Sequence, residues 1–97
     1  MKGRKNGETA MRILLVEDDI EISRMLRDYL SVENYEVVCA GDGEAARVRF
    51  DSGSYDIVLL DLMLPKVGGM DVMKYIRQAS TVPIIIISAK DTDSDKT

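Results

Sequence analysis

The chain of 97 residues has no histidine, no tryptophan and a single cysteine. Without histidine there is no Ser-His or Cys-His nucleophile pair, no imidazole metal site and no imidazole acid–base chemistry. The lone Cys39 cannot close a disulfide within the chain, and one thiol makes no zinc site. Cysteine usage therefore fits a reducing, cytoplasmic setting. Long apolar runs are missing too. The longest aliphatic stretches hold four residues, far below the ~20 that a membrane span requires. Residues 1–10 lack the apolar segment of a secretory signal. Positive charge is in deficit, with 13 Lys and Arg against 17 Asp and Glu, a net charge of −4. Residues 1–10 carry Lys2, Arg4 and Lys5 against Glu8, a local +2 that leaves −6 on the rest. So acidic a body is unsuited to direct nucleic-acid contact, which depends on Lys and Arg neutralising phosphates.

What remains is an ordinary globular composition, 45% hydrophobic and 31% charged, well away from the disordered class. Residues 1–10 read as a flexible extension and 11–97 as one domain. Aliphatic runs at residues 13–16, 37–40, 57–60 and 84–87 predict four strands. Between them, Ile22, Met25, Leu26, Tyr29 and Leu30 recur at helical spacing within residues 19–31. Asp42 is placed to cap a second helix that carries Ala45, Ala46, Val48 and Phe50 and ends at Gly53. Residues 71–77 predict a third, with Met70, Val72, Met73 and Ile76 available for burial. The order is β-α-β-α-β-α-β. Strands without polar alternation suit a parallel sheet covered on both faces, hence an open α/β fold.

Three of these four-residue runs are each followed at once by an oxygen-bearing side chain: Glu17, Asp61 and Ser88. Parallel strands joined by helices gather such residues at the carboxyl edge of the sheet, where open α/β sheets bind ligands. Asp56 precedes its run and is expected ~17 Å from Asp61, at the opposite edge. Glu17, Asp18, Asp19 and Asp61 bring several negative charges toward one point. Glu-Asp-Asp alone reads better as the acidic start of a helix. With Asp61 ending a neighbouring strand, a hard cation such as magnesium relieves the repulsion. A carboxylate can then act as nucleophile toward phosphorus. Pro65, Gly68 and Gly69 mark a shaped loop behind Asp61. Ser88, with no His to activate it, suits hydrogen bonding to a phosphoryl oxygen better than nucleophilic attack.

Three segments then resemble one family: residues 13–19 (Ile-Leu-Leu-Val-Glu-Asp-Asp), 55–65 (Tyr-Asp-Ile-Val-Leu-Leu-Asp-Leu-Met-Leu-Pro) and 83–89 (Pro-Ile-Ile-Ile-Ile-Ser-Ala). Together they are similar to the receiver domain of bacterial two-component response regulators. Residues 60–65 look most like the subgroup that precedes a winged-helix DNA-binding domain, including the vancomycin-resistance type. The resemblance implies a flavodoxin-like doubly wound sheet of order 2-1-3-4-5, an order taken from the family and not from spacing. It implies that Asp61 accepts a phosphoryl group from a sensor histidine kinase. Asp18 would contact Mg2+ directly and Glu17 through water, with Asp61 and the Met63 backbone carbonyl completing the protein ligands. Asp19 would cap a helix. Ser88 would follow the phosphoryl group, and Ala89 would contact it through its backbone. Pro65 and Gly69 match the turn after the phosphorylation site.

The family continues with a helix, a strand and a helix beyond the point these residues reach, so the expected domain is C-terminally incomplete. The family's phosphoryl-contacting lysine lies in that later part, and Lys90 does not match it. The fourth strand is then expected at a sheet edge, open to dimerisation or segment swapping. Two other functions stand as alternatives. A magnesium-dependent aspartate phosphohydrolase usually has a second Asp two residues after the nucleophile, where this chain has Met63. An inert flavodoxin-like interaction module, with an idle acidic edge, gains weight for these residues from the lysine they lack, though not for an intact parent.

Overall fold

A computed structural model describes residues 11–64 and 68–87. The elements follow the expected order: β1 (Arg12–Val16), α1 (Ile20–Val32), β2 (Glu36–Ala40), α2 (Gly43–Ser52), β3 (Ile57–Asp61), α3 (Gly69–Ala79) and β4 (Ile84–Ile87). All strand pairs are parallel and the sheet order is β2-β1-β3-β4. Val16 stands level with Ala40 on one side and Leu60 on the other, while Asp61 stands level with Ile87. β4 therefore closes one end of the described sheet.

The two faces are covered unequally. Leu14 and Val16 of β1 and their register partners Val58 and Leu60 of β3 form the core with Ala46, Val72 and Ile76. α2 and α3 pack over this face and touch each other, and the Tyr75 hydroxyl donates to Asp51 Oδ2 across their junction at 2.6 Å. Ile13 and Leu15 point the other way by strand alternation, and they are buried as well. α1 lies over β1 and β2 on that side, yet none of its residues is fully buried. Of its predicted apolar face, Ile22, Leu26 and Leu30 are half-buried. Met25 and Tyr29 are exposed, at 61% and 65%. On the sealed side Val48 and Met70 also stay exposed, so helical spacing marks more apolar positions than the packing uses.

Local chemistry sets the helix ends. Asp19 Oδ1 accepts from the N–H groups of Glu21 and Ile22, and Asp42 Oδ1 from that of Ala45. Both are the caps the sequence predicts. α2 ends at Ser52, but Gly53 takes an ordinary extended conformation (φ −153°) and not the left-handed cap that ends many helices. That cap occurs instead after α1. Asn34 sits at φ 71°. Its N–H donates to the Ser31 carbonyl, while the Tyr35 N–H donates to the Leu30 carbonyl. This pair of bonds reverses the chain into β2.

At the amino edge of the sheet, Arg12 N–H donates to Asp56 Oδ2 at 2.8 Å, and the Asp56 N–H returns a bond to the Arg12 carbonyl at 2.8 Å. Asp56 is thus engaged at the far edge from Asp61, as the spacing predicts.

Asn is among the few non-glycine residues that tolerate the left-handed region. Asn34→Val is expected to lower the unfolding free energy by about 1–2 kcal/mol, whereas Asn34→Gly should keep or slightly raise it. Urea denaturation of the two variants beside the parent checks the difference.

Candidate functional site

The register of β1 and β3 builds the site. Because Val16 is level with Leu60, the next residues, Glu17 and Asp61, leave the sheet side by side. Glu17 continues the β1–β2 ladder by donating its N–H to the Ala40 carbonyl at 3.0 Å. Asp61 is the last residue of β3 itself, paired with Ile87. Carboxylate oxygens of Glu17, Asp18 and Asp61 lie within 4.8 Å of one another. Glu17 is 2% exposed and Asp61 0%, and Asp18 is half-buried.

Backbone donors orient two of the acids. Glu17 Oε2 accepts from the Asp19 N–H at 3.0 Å. Asp61 Oδ1 accepts from the Met63 N–H at 2.9 Å, a turn that folds residues 61–63 back on the carboxylate. Leu64 is buried beyond it while the Met63 side chain is 60% exposed. Met63 therefore meets the site through its backbone. Asp19 turns its carboxylate to the start of α1 and stays outside the cluster. Ser88 and Ala89, and Pro65 in the loop, lie outside the described residues.

The sequence reading missed the neighbourhood of this cluster. A cleft of about 260 Å³ opens beside Glu17 and Asp18, walled by Ser23, Arg24 and Arg27 of α1 and by Cys39 of β2. Its signal was present in the helical spacing of Ile20, Ser23, Arg24 and Arg27, which share one side of α1. Which side faces the acids depends on how α1 lies over β1 and β2.

Unit charges 4.8 Å apart repel by roughly 3 kcal/mol per pair at an effective dielectric near 20. The donor set is all hard oxygen, two of its three members are buried, and two are pinned by backbone N–H groups. These features suit a small divalent cation with oxygen ligands. The same repulsion gives a test. Asp61→Asn removes one charge and keeps an oxygen to accept from Met63. It is expected to raise the unfolding free energy in EDTA by about 1–3 kcal/mol, read from denaturant melts against the parent.

Comparison with known proteins agrees with this geometry. Residues 13–97 match the response regulator receiver domain family. The chain is 54% identical over 83 residues to the uncharacterized transcriptional regulatory protein YcbL of Bacillus subtilis, covering 86% of this chain and 37% of that protein. It is 44% identical over 85 residues to the response regulator ArlR of Staphylococcus saprophyticus, covering 88% of this chain and 39% of ArlR. It thus spans well under half the length of these relatives. Among solved structures, the response regulator TrrA of Thermotoga maritima in complex with Mg2+-BeF superposes with a TM-score of 0.74 at 36% identity, over 87% of this chain and 76% of that one. The complex of the histidine kinase ThkA with TrrA matches at 0.75 and 39% identity, over 81% of this chain and 69% of that one. Among the described residues no helix is long and apolar enough to cross a membrane. A match that runs through all three acids of the cluster, on a sheet of the same topology, means that this chain belongs to the response regulator receiver domains of two-component signalling.

Proposed function

We propose that Asp61 is the phosphoacceptor of this receiver and that it takes its phosphoryl group from the phosphohistidine of a sensor kinase. The observation that carries the proposal is a fully buried aspartate at the carboxyl end of β3, its oxygens within 4.8 Å of those of two further acids. The Asp61 carboxylate attacks phosphorus, a P–O bond forms as the P–N bond to the donor imidazole breaks, and the imidazole leaves with the bond's electron pair. The hydrogen bond from Met63 N–H to Oδ1 holds the carboxylate in one rotamer during the attack.

Asp18 and Asp61 would hold Mg2+ directly, Glu17 through water, and the Met63 carbonyl would add a backbone ligand. When bound, the ion neutralises charge on the transferring oxygens. Ser88 keeps the hydroxyl role and Ala89 the backbone contact that the resemblance implies. Two of the matched structures support the partner and the metal, one a complex of a histidine kinase with TrrA and the other a Mg2+-BeF complex of TrrA. The transcriptional regulators among the relatives support a parent protein that binds DNA through another domain. On this reading the chain acts in the cytoplasm as a signalling module that modifies itself, with no metabolite turned over.

Incubation with acetyl phosphate and Mg2+ should add one phosphoryl group by intact mass, acid-stable and base-labile. The adduct should vanish in EDTA and in Asp61→Asn. Steady turnover of a phosphomonoester would point instead to a phosphohydrolase, and no reaction to an interaction module. Mg2+ at a hundred times its Kd should stabilise the parent by about 2.7 kcal/mol, and Asp18→Asn should lose most of that gain in thermal melts.

A further inference from the structure

The most constrained contact behind the site is made by a missing side chain. Gly69, the first residue of α3, is buried against the segment that leaves β3. A Cβ built on it would stand 2.4 Å from Leu62 Cα, 2.7 Å from the Asp61 carbonyl oxygen and 3.1 Å from the Leu62 carbonyl carbon. All three atoms are backbone, so no rotamer change relieves the overlap. Ordinary carbon–carbon contact begins at ~3.5 Å, so even a methyl group demands a shift of about 1 Å. Gly68, one residue earlier, has nothing within 4 Å of its own virtual Cβ and an ordinary φ of −68°. Two adjacent glycines therefore differ sharply in what they permit.

The overlap at residue 69 must be relieved by one side or the other. α3 is anchored by Val72 and Ile76, both without solvent exposure. Asp61 is held level with Ile87 in the β3–β4 ladder, one residue after the Val16–Leu60 pair that ends the β1–β3 ladder. Leu62 and Met63 lie outside the ladder, and the hydrogen bond from Met63 N–H to Asp61 Oδ1 ties them back. They are the part that yields.

We infer that Gly69 is a positioning residue for the phosphorylation site: its lack of a Cβ lets the first turn of α3 seat against Asp61 and Leu62, and so fixes the Asp61 carboxylate and the Met63 backbone in working geometry. The inference rests on the reading of Asp61 as phosphoacceptor and deepens it. A displacement of about 1 Å at a reacting group costs up to a hundredfold in rate.

The test compares Gly69→Ala with Gly68→Ala in the same chain. In EDTA, amide hydrogen exchange at Met63 should accelerate at least tenfold in Gly69→Ala and stay at the parent value in Gly68→Ala. With Mg2+, the Kd for the ion and the labelling rate with acetyl phosphate should each worsen tenfold or more in Gly69→Ala alone. A folded Gly69→Ala with a lower melting temperature but unchanged Met63 exchange overturns the inference, because a merely structural glycine would behave so. If the parent shows no response to Mg2+ or acetyl phosphate, the proposed function fails, and the metal-free Met63 exchange still decides the role of Gly69. Should Gly69→Ala not fold, Asp61→Ala reads the contact from the other side. Loss of the Met63 bond should then alter exchange at residues 69–71 but not at the far end of α3. Unaltered exchange at 69–71 overturns the inference.

Discussion

The parallel pairing of β1 with β3 is the constraint on which the rest of this molecule depends. Its register puts Val16 level with Leu60, and that forces two buried acids to emerge together. Shifting β1 by a residue would turn Leu14 and Val16 away from the face they share with Val58 and Leu60. The apolar core and the acidic cluster are therefore one decision. The hydrophobic stabilisation of the sheet holds carboxylates closer than they would settle by themselves.

Repulsion stored in that way is useful only where it can be relieved. Two backbone amides, from Asp19 and Met63, orient Glu17 and Asp61. On the proposed function, a divalent cation bound there would tie occupancy of the site to stability of the fold. The hydrogen bond from Met63 and the seat of Gly69 against Leu62 lie on the same few atoms. Core, loop and helix start thus meet at Asp61.

The two faces of the sheet differ for a related reason. α2 and α3 seal one face around Val72 and Ile76, while α1 alone stands over β1 and β2. The exposure of Met25 and Tyr29 follows from that coverage and not from weak amphipathicity. Their spacing is as regular as that of the buried positions in α3. An apolar stripe announces a face that can be buried, and only neighbouring elements decide how much of it is.

By itself the sequence determined the four aliphatic strands, the caps at Asp19 and Asp42, and the placement of Glu17, Asp18 and Asp61 at the carboxyl edge. These rest on hydrogen bonds and periodicities that act within two to four residues, or on strand direction, which the β-α-β order sets. The left-handed turn at Asn34 is equally local, but a lone Asn is a weak sign of it. Tertiary structure alone decided the rest. It set Arg24 and Arg27 of α1 around one cleft with Glu17 and Asp18, left Met25 and Tyr29 in solvent, and pressed Gly69 against Leu62. Each depends on how a helix lies on a sheet, where angstrom-scale differences in seating change which atoms touch. Such distances come from close packing of distant segments, and no local pattern encodes them.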